Sequence, residues 1–532
     1  MTEQVATEES DDAPFDLDGL DPDLDDVATF RPTVNDWLRA RTLPQILLSC
    51  TLLVWVGYFT QRSLDIHHGL GTSSYDSGLY DQGMWLLSRG EAPFVTLMGR
   101  NMFGDHTSFV LLLLVPLYWV APGAWIMFFS QSAVIAAGAI PVFLYGRRRL
   151  ESEWFALIAA ATYLLHPAVG WANLENFHPD SFLGVFIGVA LYAALERKWR
   201  LYGAFVVLSL LVKEDVSLVI VPLGIWVAIR RSWRIGLITV FGSFGFMFTA
   251  MYVVMRGLIG QPTLNAWRIP FSQPGDGTGA AARRLIDTAV TNPTQLADHV
   301  RADGRPWYLW QMTSPFALIF LRLPGVAMIS ALVLFSNVLS TFWYQYQVQY
   351  HYSLVAVPAL AIGTVYALGA VKSKLTVQSL EVPLRAVGIA VLALSSFMTA
   401  FMWSPMPWGR TVLFHGDPDN MYAVSMREII EEIPARASVA AHHRVTPHIA
   451  YRPEIYQFPN PFRLVLYGPD PELEGIRLSE RAEGVDFVVL PTSEDENVAD
   501  DFAIIEAAFV EVAANQFWVL YERDRSVPLP GN

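Results

Sequence analysis

The chain has 532 residues, of which 53% are hydrophobic and 16% charged, and its formal net charge is −14. Soluble domains carry about 25% charged residues, so this deficit, together with charge-free apolar runs such as 386–402, excludes an ordinary soluble protein and indicates a membrane protein. The negative charge gives no indication of nucleic-acid binding, and the single cysteine, Cys50, excludes an intramolecular disulfide.

The N-terminal segment is acidic. The first 26 residues hold eleven Asp or Glu and no Lys or Arg, a composition that cannot bury enough apolar surface to fold. We predict a disordered cytoplasmic tail over residues 1–36. Because the apolar run begins only after Arg39 and Arg41, the segment is not a cleavable signal peptide, and the first hydrophobic segment stays as an anchor.

The Lys and Arg residues beside the apolar segments predict the topology of residues 37–404. The first span is expected at 43–60, and the arginines before it place the N-terminus in the cytoplasm. Loops poor in Lys and Arg are expected on the outer face of the plasma membrane. This alternation predicts a polytopic α-helical protein with about eleven crossings. Basic clusters that mark the cytoplasmic side recur at 147–149, 197–200, 230–234 and 372–374.

Two segments do not fit a simple alternation of basic inner loops and non-basic outer loops. The apolar stretch 107–145 is long enough for two helices but must cross an odd number of times, so we predict that 107–121 dips in without crossing. The stretch 201–229 has basic flanks and two short arms, which predicts a shallow hairpin with a charged tip. The alternative crosses twice in the first stretch and once in the second. It places His178 in the cytoplasm and violates the positive-inside rule at two loops.

The rest of the membrane part and the C-terminal part differ in composition. From Pro405 the sequence becomes typical of a soluble domain, with strand-like runs at 487–490 and 517–521 between helical stretches. An odd number of crossings places this small α/β domain, residues 405–532, outside the cytoplasm. Further spans are expected at 235–254, 309–322, 324–340, 351–370 and 383–403.

The first outer loop carries carboxylates and a histidine at an apolar boundary. If 79–87 is an amphipathic helix, Asp76 lies at its N-cap, where a carboxylate accepts backbone N–H bonds. Capping is a sufficient role for one carboxylate, but Asp81, Asp105 and His106 lie in the same loop. A partly desolvated carboxylate has a raised pKa and can act as a general base.

The second outer loop contains Glu175 and His178, whose spacing places them on one helical turn. Together with Asp105 and His106 they could hold a divalent metal through carboxylate and imidazole ligands. Plain hydrogen-bonded pairs of histidine and carboxylate are the alternative. No other cofactor is indicated.

Two further elements could bind substrate. Lys213, Glu214 and Asp215 lie between apolar arms, where charges are costly and therefore functional candidates. The lysine could bind a phosphate, or the three charges could simply pair with one another. Gln349, Tyr350 and Tyr352 offer amide and aromatic groups suited to a sugar, although single tyrosines are also typical of an interfacial belt.

Taken together, these motifs resemble a family of prokaryotic membrane proteins known as domain of unknown function 2079, over roughly residues 45–495. This sequence has no adjacent Asp-Asp or Asp-Glu pair at Asp76, unlike some of the GT-C glycosyltransferases with which the family is grouped. The matching motifs are Tyr75-Asp76, Asp81-Gln82 with Trp85, Asp105-His106, Asn176-Phe177-His178-Pro179, Val212-Lys213-Glu214-Asp215, Gln349-Tyr350 with Tyr352, and Ser438-Val439 to Pro447-His448.

The resemblance implies a GT-C-like membrane glycosyltransferase, which takes a sugar from a polyprenyl-phosphate carrier and passes it to a cell-envelope glycan or lipid outside the cytoplasm. It implies Asp76 as the catalytic carboxylate of the first external loop, with Asp81 second. The partners are then the carrier-linked sugar and membrane lipid. A transporter or lipid-handling protein without transferase activity is the alternative, although no internal repeat supports it. A non-catalytic scaffold whose outer domain binds a partner is a third possibility.

Overall fold

The computed structural model describes residues 41–259, 266–377, 380–413, 417–465, 474–478, 480–493 and 496–530. The described chain is mainly helical up to residue 403, with two short β-hairpins, and continues into a region that contains a five-stranded β-sheet. The expected polytopic helical protein with a sheet-containing C-terminal region is therefore confirmed. The predicted acidic tail, 1–36, lies outside the described residues.

Several helices are long enough to cross a bilayer. Among the described residues five helices meet the requirements of length and apolar composition, or six if the bent pair Glu153–Leu165 and Pro167–Leu174 forms one span. The expected spans at 43–60, 235–254, 351–370 and 383–403 are confirmed as helices, whereas the total of about eleven crossings stays a prediction. The five are Leu43–His68, Ala124–Arg149, Trp233–Ile259, His351–Leu368 and Leu384–Trp403.

Large apolar side chains cover the outward faces of these helices. Leu53 is 73% exposed and Phe241 is 68% exposed. Water would be a poor solvent for such a surface, and lipid is a good one. By contrast, the helix Val357–Leu368 is buried on almost every face, so it forms the centre of the bundle. Other helices of this part are Leu79–Ser88, Met102–Asp105, Leu183–Leu195, Arg256–Ile259, Thr278–Thr291 and Pro293–Arg301.

The segments 107–121 and 201–229 have the helix layout expected for a non-crossing dip and a hairpin. The segment 107–121 contains only the short turns Phe109–Leu113 and Val115–Tyr118, which are too short to span a bilayer. The second segment is a hairpin of the helices Trp199–Leu210 and Ser217–Arg230. The two meet where the Val110 N–H donates to the Leu211 carbonyl, with N and O 2.9 Å apart.

The expected spans near 309–322 and 324–340 do not form two continuous helices, and whether these segments cross the membrane stays a prediction. The helix Arg305–Thr313 ends just before Pro315, and Ala317 and Leu318 then adopt left-handed backbone angles. Proline lacks the N–H that would continue the helical hydrogen bonds, and Pro324 interrupts the second segment in the same way. Short turns at Ile319–Arg322 and Ala327–Ser330 precede the helix Ala331–Leu339.

The C-terminal region contains a mixed sheet, as the alternation of strand-like and helical runs predicts. Its first three strands in spatial order are parallel, with Val439 opposite Ile455 on one side and Phe487 on the other. The remaining pairs are antiparallel. The boundary at residue 405 stays a prediction. In spatial order the strands are Ile455–Gln457, Val439–Ala441, Phe487–Pro491, Trp518–Arg523 and Phe509–Ala514, accompanied by the helices Met421–Glu431 and Glu496–Ile505.

Candidate active site

Asp76 lies in a π-helical turn, Ser74–Gly78, that leads directly into the helix Leu79–Ser88. The predicted N-cap role of Asp76 is wrong, because Gly78 occupies the cap position and no side chain caps the helix. The turn is held instead by Asn176, whose Oδ1 accepts from the Ser73 N–H at 3.0 Å and from the Ser77 hydroxyl at 3.1 Å. The Asp76 carboxylate is therefore available for other partners.

The partner of Asp76 is His178, which the structure brings from the loop that follows the helix Pro167–Leu174. His178 Nε2 lies 3.3 Å from Asp76 Oδ1; the imidazole is buried, while the Asp76 side chain is 35% exposed. Burial acts to raise the pKa of Asp76, but the charge and hydrogen bond of His178 outweigh it and hold the pKa below its usual value. Asp76 is thus an ionised, accessible carboxylate with a buried imidazole behind it.

Glu175, His178 and His351 form a compact group. Glu175 Oε2 lies 3.0 Å from His351 Nδ1 and 3.5 Å from His178 Nδ1. The two imidazole rings stack with their centroids 3.7 Å apart. Burial raises the pKa of Glu175, although the charge of His178 acts in the opposite direction. Their ligand atoms all lie within 4.8 Å of one another, and this is the group among the described residues with the spacing to hold a metal ion.

The predicted metal set is divided between two places. Glu175 and His178 lie together, but His106 Nδ1 lies 2.8 Å from Glu214 Oε1, and Asp105 pairs with Arg100 at 3.3 Å. The expectation that Asp105 and His106 complete one site with Glu175 and His178 is therefore corrected by these contacts. Burial acts to lower the pKa of His106, but Glu214 and Asp105 outweigh it and raise the pKa.

Lys213 lies at the tip of the 199–230 hairpin and is almost fully buried. Its Nζ is 3.9 Å from Asp180 Oδ2 and 5.5 Å from the centre of the Tyr352 ring. Both distances exceed that of a hydrogen bond, and the described residues provide no closer acceptor for this ammonium. Glu214 beside it is paired with His106, and Asp215 is exposed. Lys213 and Glu214 therefore have their closest charged partners outside the motif, although the charges of Glu214 and Asp215 also act on Lys213.

The third predicted element forms an aromatic surface next to this group. Tyr350 contacts Trp343 and Tyr344 edge to face, at ring separations of 5.5 and 4.4 Å. Gln349 is exposed, and Tyr352 lies against Lys213. Exposed aromatic faces with an amide and a cation beside them can stack on a sugar ring and bind its hydroxyls.

Asp81, the second predicted catalytic carboxylate, has a different environment. It is 1% exposed, the Tyr118 hydroxyl donates to its Oδ1 at 2.7 Å, and Tyr451 lies beside it. Burial raises the pKa of Asp81 to about 7, although the two tyrosine hydroxyls act to lower it. Asp81 therefore faces the interior of the protein rather than the group around Asp76.

The C-terminal region packs directly on the loop that carries Asp76. The Ser74 hydroxyl lies 2.7 Å from the Thr446 hydroxyl and donates to the His443 carbonyl at 3.0 Å. Thr96 donates to the Ile455 carbonyl and accepts from the Ile455 N–H. The motif Pro447-His448 belongs to this contact, because Pro447 approaches Gly78 to within van der Waals distance. The two parts of the chain form one unit around the turn.

Sequence reasoning missed three residues of this site. His351 lies between the predicted sugar-binding residues Tyr350 and Tyr352, and Asp180 follows His178 by two residues. Asn176 has a left-handed backbone conformation, with φ of 50°, which asparagine tolerates better than most residues. Each of the three residues lies within two positions of a predicted site residue. Only the contacts in the folded structure distinguish them from other polar residues nearby in the sequence.

The fold and the site belong to a multi-pass membrane protein with a polar cluster at the ends of its helices. The sequence profile of the family described as "Predicted membrane protein (DUF2079)" matches residues 66–523, and the chain belongs to this family. The expected family is therefore confirmed. A search among curated proteins finds no match.

Two solved structures are similar to the chain over most of its length. The structure of ArnT from Cupriavidus metallidurans bound to undecaprenyl phosphate shares 13% identity and a TM-score of 0.48, covering 92% of this chain and 98% of that one. The same ArnT in its apo state shares 14% identity and a TM-score of 0.47, with coverages of 90% and 97%.

Proposed function

We propose that this protein is a membrane glycosyltransferase that moves a sugar from a polyprenyl-phosphate carrier to an acceptor outside the cytoplasm. The observation that carries the proposal is the environment of Asp76. Its carboxylate is accessible, is backed by buried His178 at 3.3 Å, and lies close enough to Lys213 for that charge to lower its pKa. A base and a cation close to each other are the two groups that glycosyl transfer from a phosphate requires.

Asp76 would act as the general base. The acceptor hydroxyl loses its proton to this carboxylate while its oxygen bonds to the anomeric carbon of the sugar. The bond between that carbon and the phosphate oxygen breaks, and its electron pair stays on the polyprenyl phosphate. Asp76 is ionised at neutral pH and can accept the proton, but its lowered pKa makes it a weaker base than the raised pKa expected for a desolvated carboxylate would.

Lys213 would hold the donor phosphate. Its nearest carboxylate oxygen is 3.9 Å away, which is longer than a hydrogen bond. The ammonium therefore retains donors for a phosphate oxygen, whose negative charge increases as the sugar departs. Tyr350, Tyr352 and Gln349 would then contact the sugar.

The proposed orientation follows from the basic clusters. They place the N-terminus in the cytoplasm, and the C-terminal region and the Asp76 turn outside it. The contact of Asp76 with His178 supports this arrangement, because the alternative topology separates the two residues by the membrane.

The test compares wild type with Asp76→Asn and with Asp287→Asn, a matched control on the exposed face of Thr278–Thr291. Cells producing each protein at equal membrane levels are analysed by mass spectrometry of envelope glycans and carrier lipids. We expect Asp76→Asn to reduce transfer at least about 100-fold, with accumulation of carrier-linked sugar. The control should match wild type. Equal transfer by Asp76→Asn would remove this residue as the base.

A further inference from the structure

We propose that Glu175, His178 and His351 bind one divalent transition-metal ion, with Zn²⁺ as the best fit. The site goes beyond the transferase activity, because metal binding can be measured without any sugar donor. His351 is the ligand that completes it, and Asp105 and His106 are not part of it.

The spacing of the three side chains suits a tetrahedral ion. Metal–ligand bonds of about 2.0–2.2 Å place neighbouring ligands of a tetrahedral zinc roughly 3.3–3.5 Å apart. Glu175 Oε2 lies 3.0 Å from His351 Nδ1 and 3.5 Å from His178 Nδ1. Adjustments of a few tenths of an ångström would open the first distance and leave the second unchanged.

The tautomer of His178 decides which atom faces the ion. Its Nδ1 also lies 3.0 Å from the Glu175 backbone carbonyl, to which an Nδ1–H would donate. A metal ion bound to Nδ1 takes the place of this hydrogen, and the neutral ring then carries its single proton on Nε2. There it can be donated to Asp76 Oδ1, 3.3 Å away. A carboxylate that accepts from the outer nitrogen of a metal-bound histidine is a common way to orient the ring and strengthen it as a ligand.

The charges and the burial of the group also favour a cation. Glu175 and the two histidines are largely buried, and a buried carboxylate is costly unless a positive charge compensates it. The two imidazoles cannot both be protonated without strong repulsion, because their ring centroids lie 3.7 Å apart. One divalent ion held by two neutral imidazoles and a carboxylate, with Asp76 nearby, balances the local charge.

The donor set points to zinc rather than magnesium. Two imidazole nitrogens and one carboxylate suit borderline transition metals, whereas Mg²⁺ and Ca²⁺ prefer oxygen ligands alone. Three protein ligands leave a fourth position for water or for another oxygen ligand.

The experiment measures metal content directly. The full chain is purified in detergent on a tag without histidines, stripped with a chelator, exposed to Zn²⁺ and washed, and its zinc is then counted by mass spectrometry. We expect about one zinc per wild-type chain. In Glu175→Gln and His351→Ala the affinity should fall by more than about 100-fold, since even outer partners of metal ligands contribute 10- to 100-fold. His443→Ala, at an exposed histidine elsewhere, is the matched control and should keep its zinc.

Thermal unfolding provides the second measurement. Because an ion that binds only the folded state stabilises it, added Zn²⁺ should raise the Tm of stripped wild type and of His443→Ala, while added Mg²⁺ should not. The Tm of folded Glu175→Gln or His351→Ala should not respond. The proposal is overturned if folded wild type takes up no zinc, or if the site variants bind as much as the control. Zinc uptake is measured without a sugar donor or acceptor, so it would be unchanged if the protein had no transferase activity, and the two proposals can fail separately.

Discussion

Asp76 and Asp81 lie on one short segment, yet the structure gives them opposite environments. Asp76 is partly exposed and paired with an imidazole, whereas Asp81 is 1% exposed and bonded to tyrosine hydroxyls. The pKa of Asp76 is held below its usual value by His178 against the effect of burial, and the pKa of Asp81 is raised by burial to about 7. Their positions in the sequence, five residues apart, do not predict this difference in environment.

The comparison shows that the role of each carboxylate depends on the side chains around it, since the two carboxylates are chemically the same. Asp76 belongs to an open cluster with Glu175, His178 and Lys213, in which a charge is available to a ligand. Asp81 belongs to a closed cluster with Tyr118 and Tyr451, in which a charge is a cost to folding. Changes in the open cluster should therefore affect binding, and changes in the closed cluster should affect stability.

The largest expected effect is on binding, from Lys213→Ala. Because the substitution removes a charged donor to phosphate, we expect polyprenyl phosphate to bind about 10- to 100-fold more weakly. The measurement is titration of the lipid into purified protein in nanodiscs, with inorganic phosphate as the second probe. Lys374→Ala, at an exposed lysine, is the control. Equal affinity in both variants would mean that Lys213 only holds the hairpin tip.

The next effect is on stability, from Asp81→Asn. The folded protein holds the Asp81 proton more tightly than the unfolded chain, where aspartate titrates near pH 4. Its contribution to stability is therefore full below that pH and is lost as the pH rises through about 7. Asparagine cannot ionise, so the variant should be more stable than wild type at pH 8, by at most about 4 kcal/mol for a pKa difference of about three. Thermal unfolding at pH 5 and pH 8 measures it, and Asp287→Asn should show no such gain.

Tyr118→Phe should have a smaller effect in the opposite direction. At pH 8 it removes a donor to the ionised Asp81 carboxylate, which should cost about 1.5 kcal/mol. At pH 5 the carboxyl is protonated and the cost should be smaller. Unfolding of the variant and wild type at both pH values gives the difference. An equal loss at both would show that the tyrosine acts through packing alone.

The smallest effect concerns the contact that joins the open cluster to the C-terminal region. Ser74→Ala and Thr446→Val each remove one side of a hydroxyl pair with an O–O distance of 2.7 Å. In a double-mutant cycle on thermal unfolding we expect a coupling of about 0.5–1 kcal/mol. Additive effects of the two substitutions would mean that this contact does not tie the C-terminal region to the Asp76 turn.

The sequence by itself determined the class of protein and most of its helices. Charge-free apolar runs leave few alternatives to membrane helices, because a backbone in lipid must satisfy its hydrogen bonds internally. For the same reason the long helices at 235–254, 351–370 and 383–403 could be located in advance. Pro315 and Pro324 also indicate helix breaks, but a prediction from hydropathy alone does not detect them.

Only the tertiary structure decided the site. Asp76 and His178, with about a hundred residues between them, meet at 3.3 Å, and His351 joins them from a third segment. Such contacts depend on how helices pack, and local sequence patterns carry no record of that packing. The same packing separated Asp105 and His106 from the metal-ligand group and turned Asp81 inward.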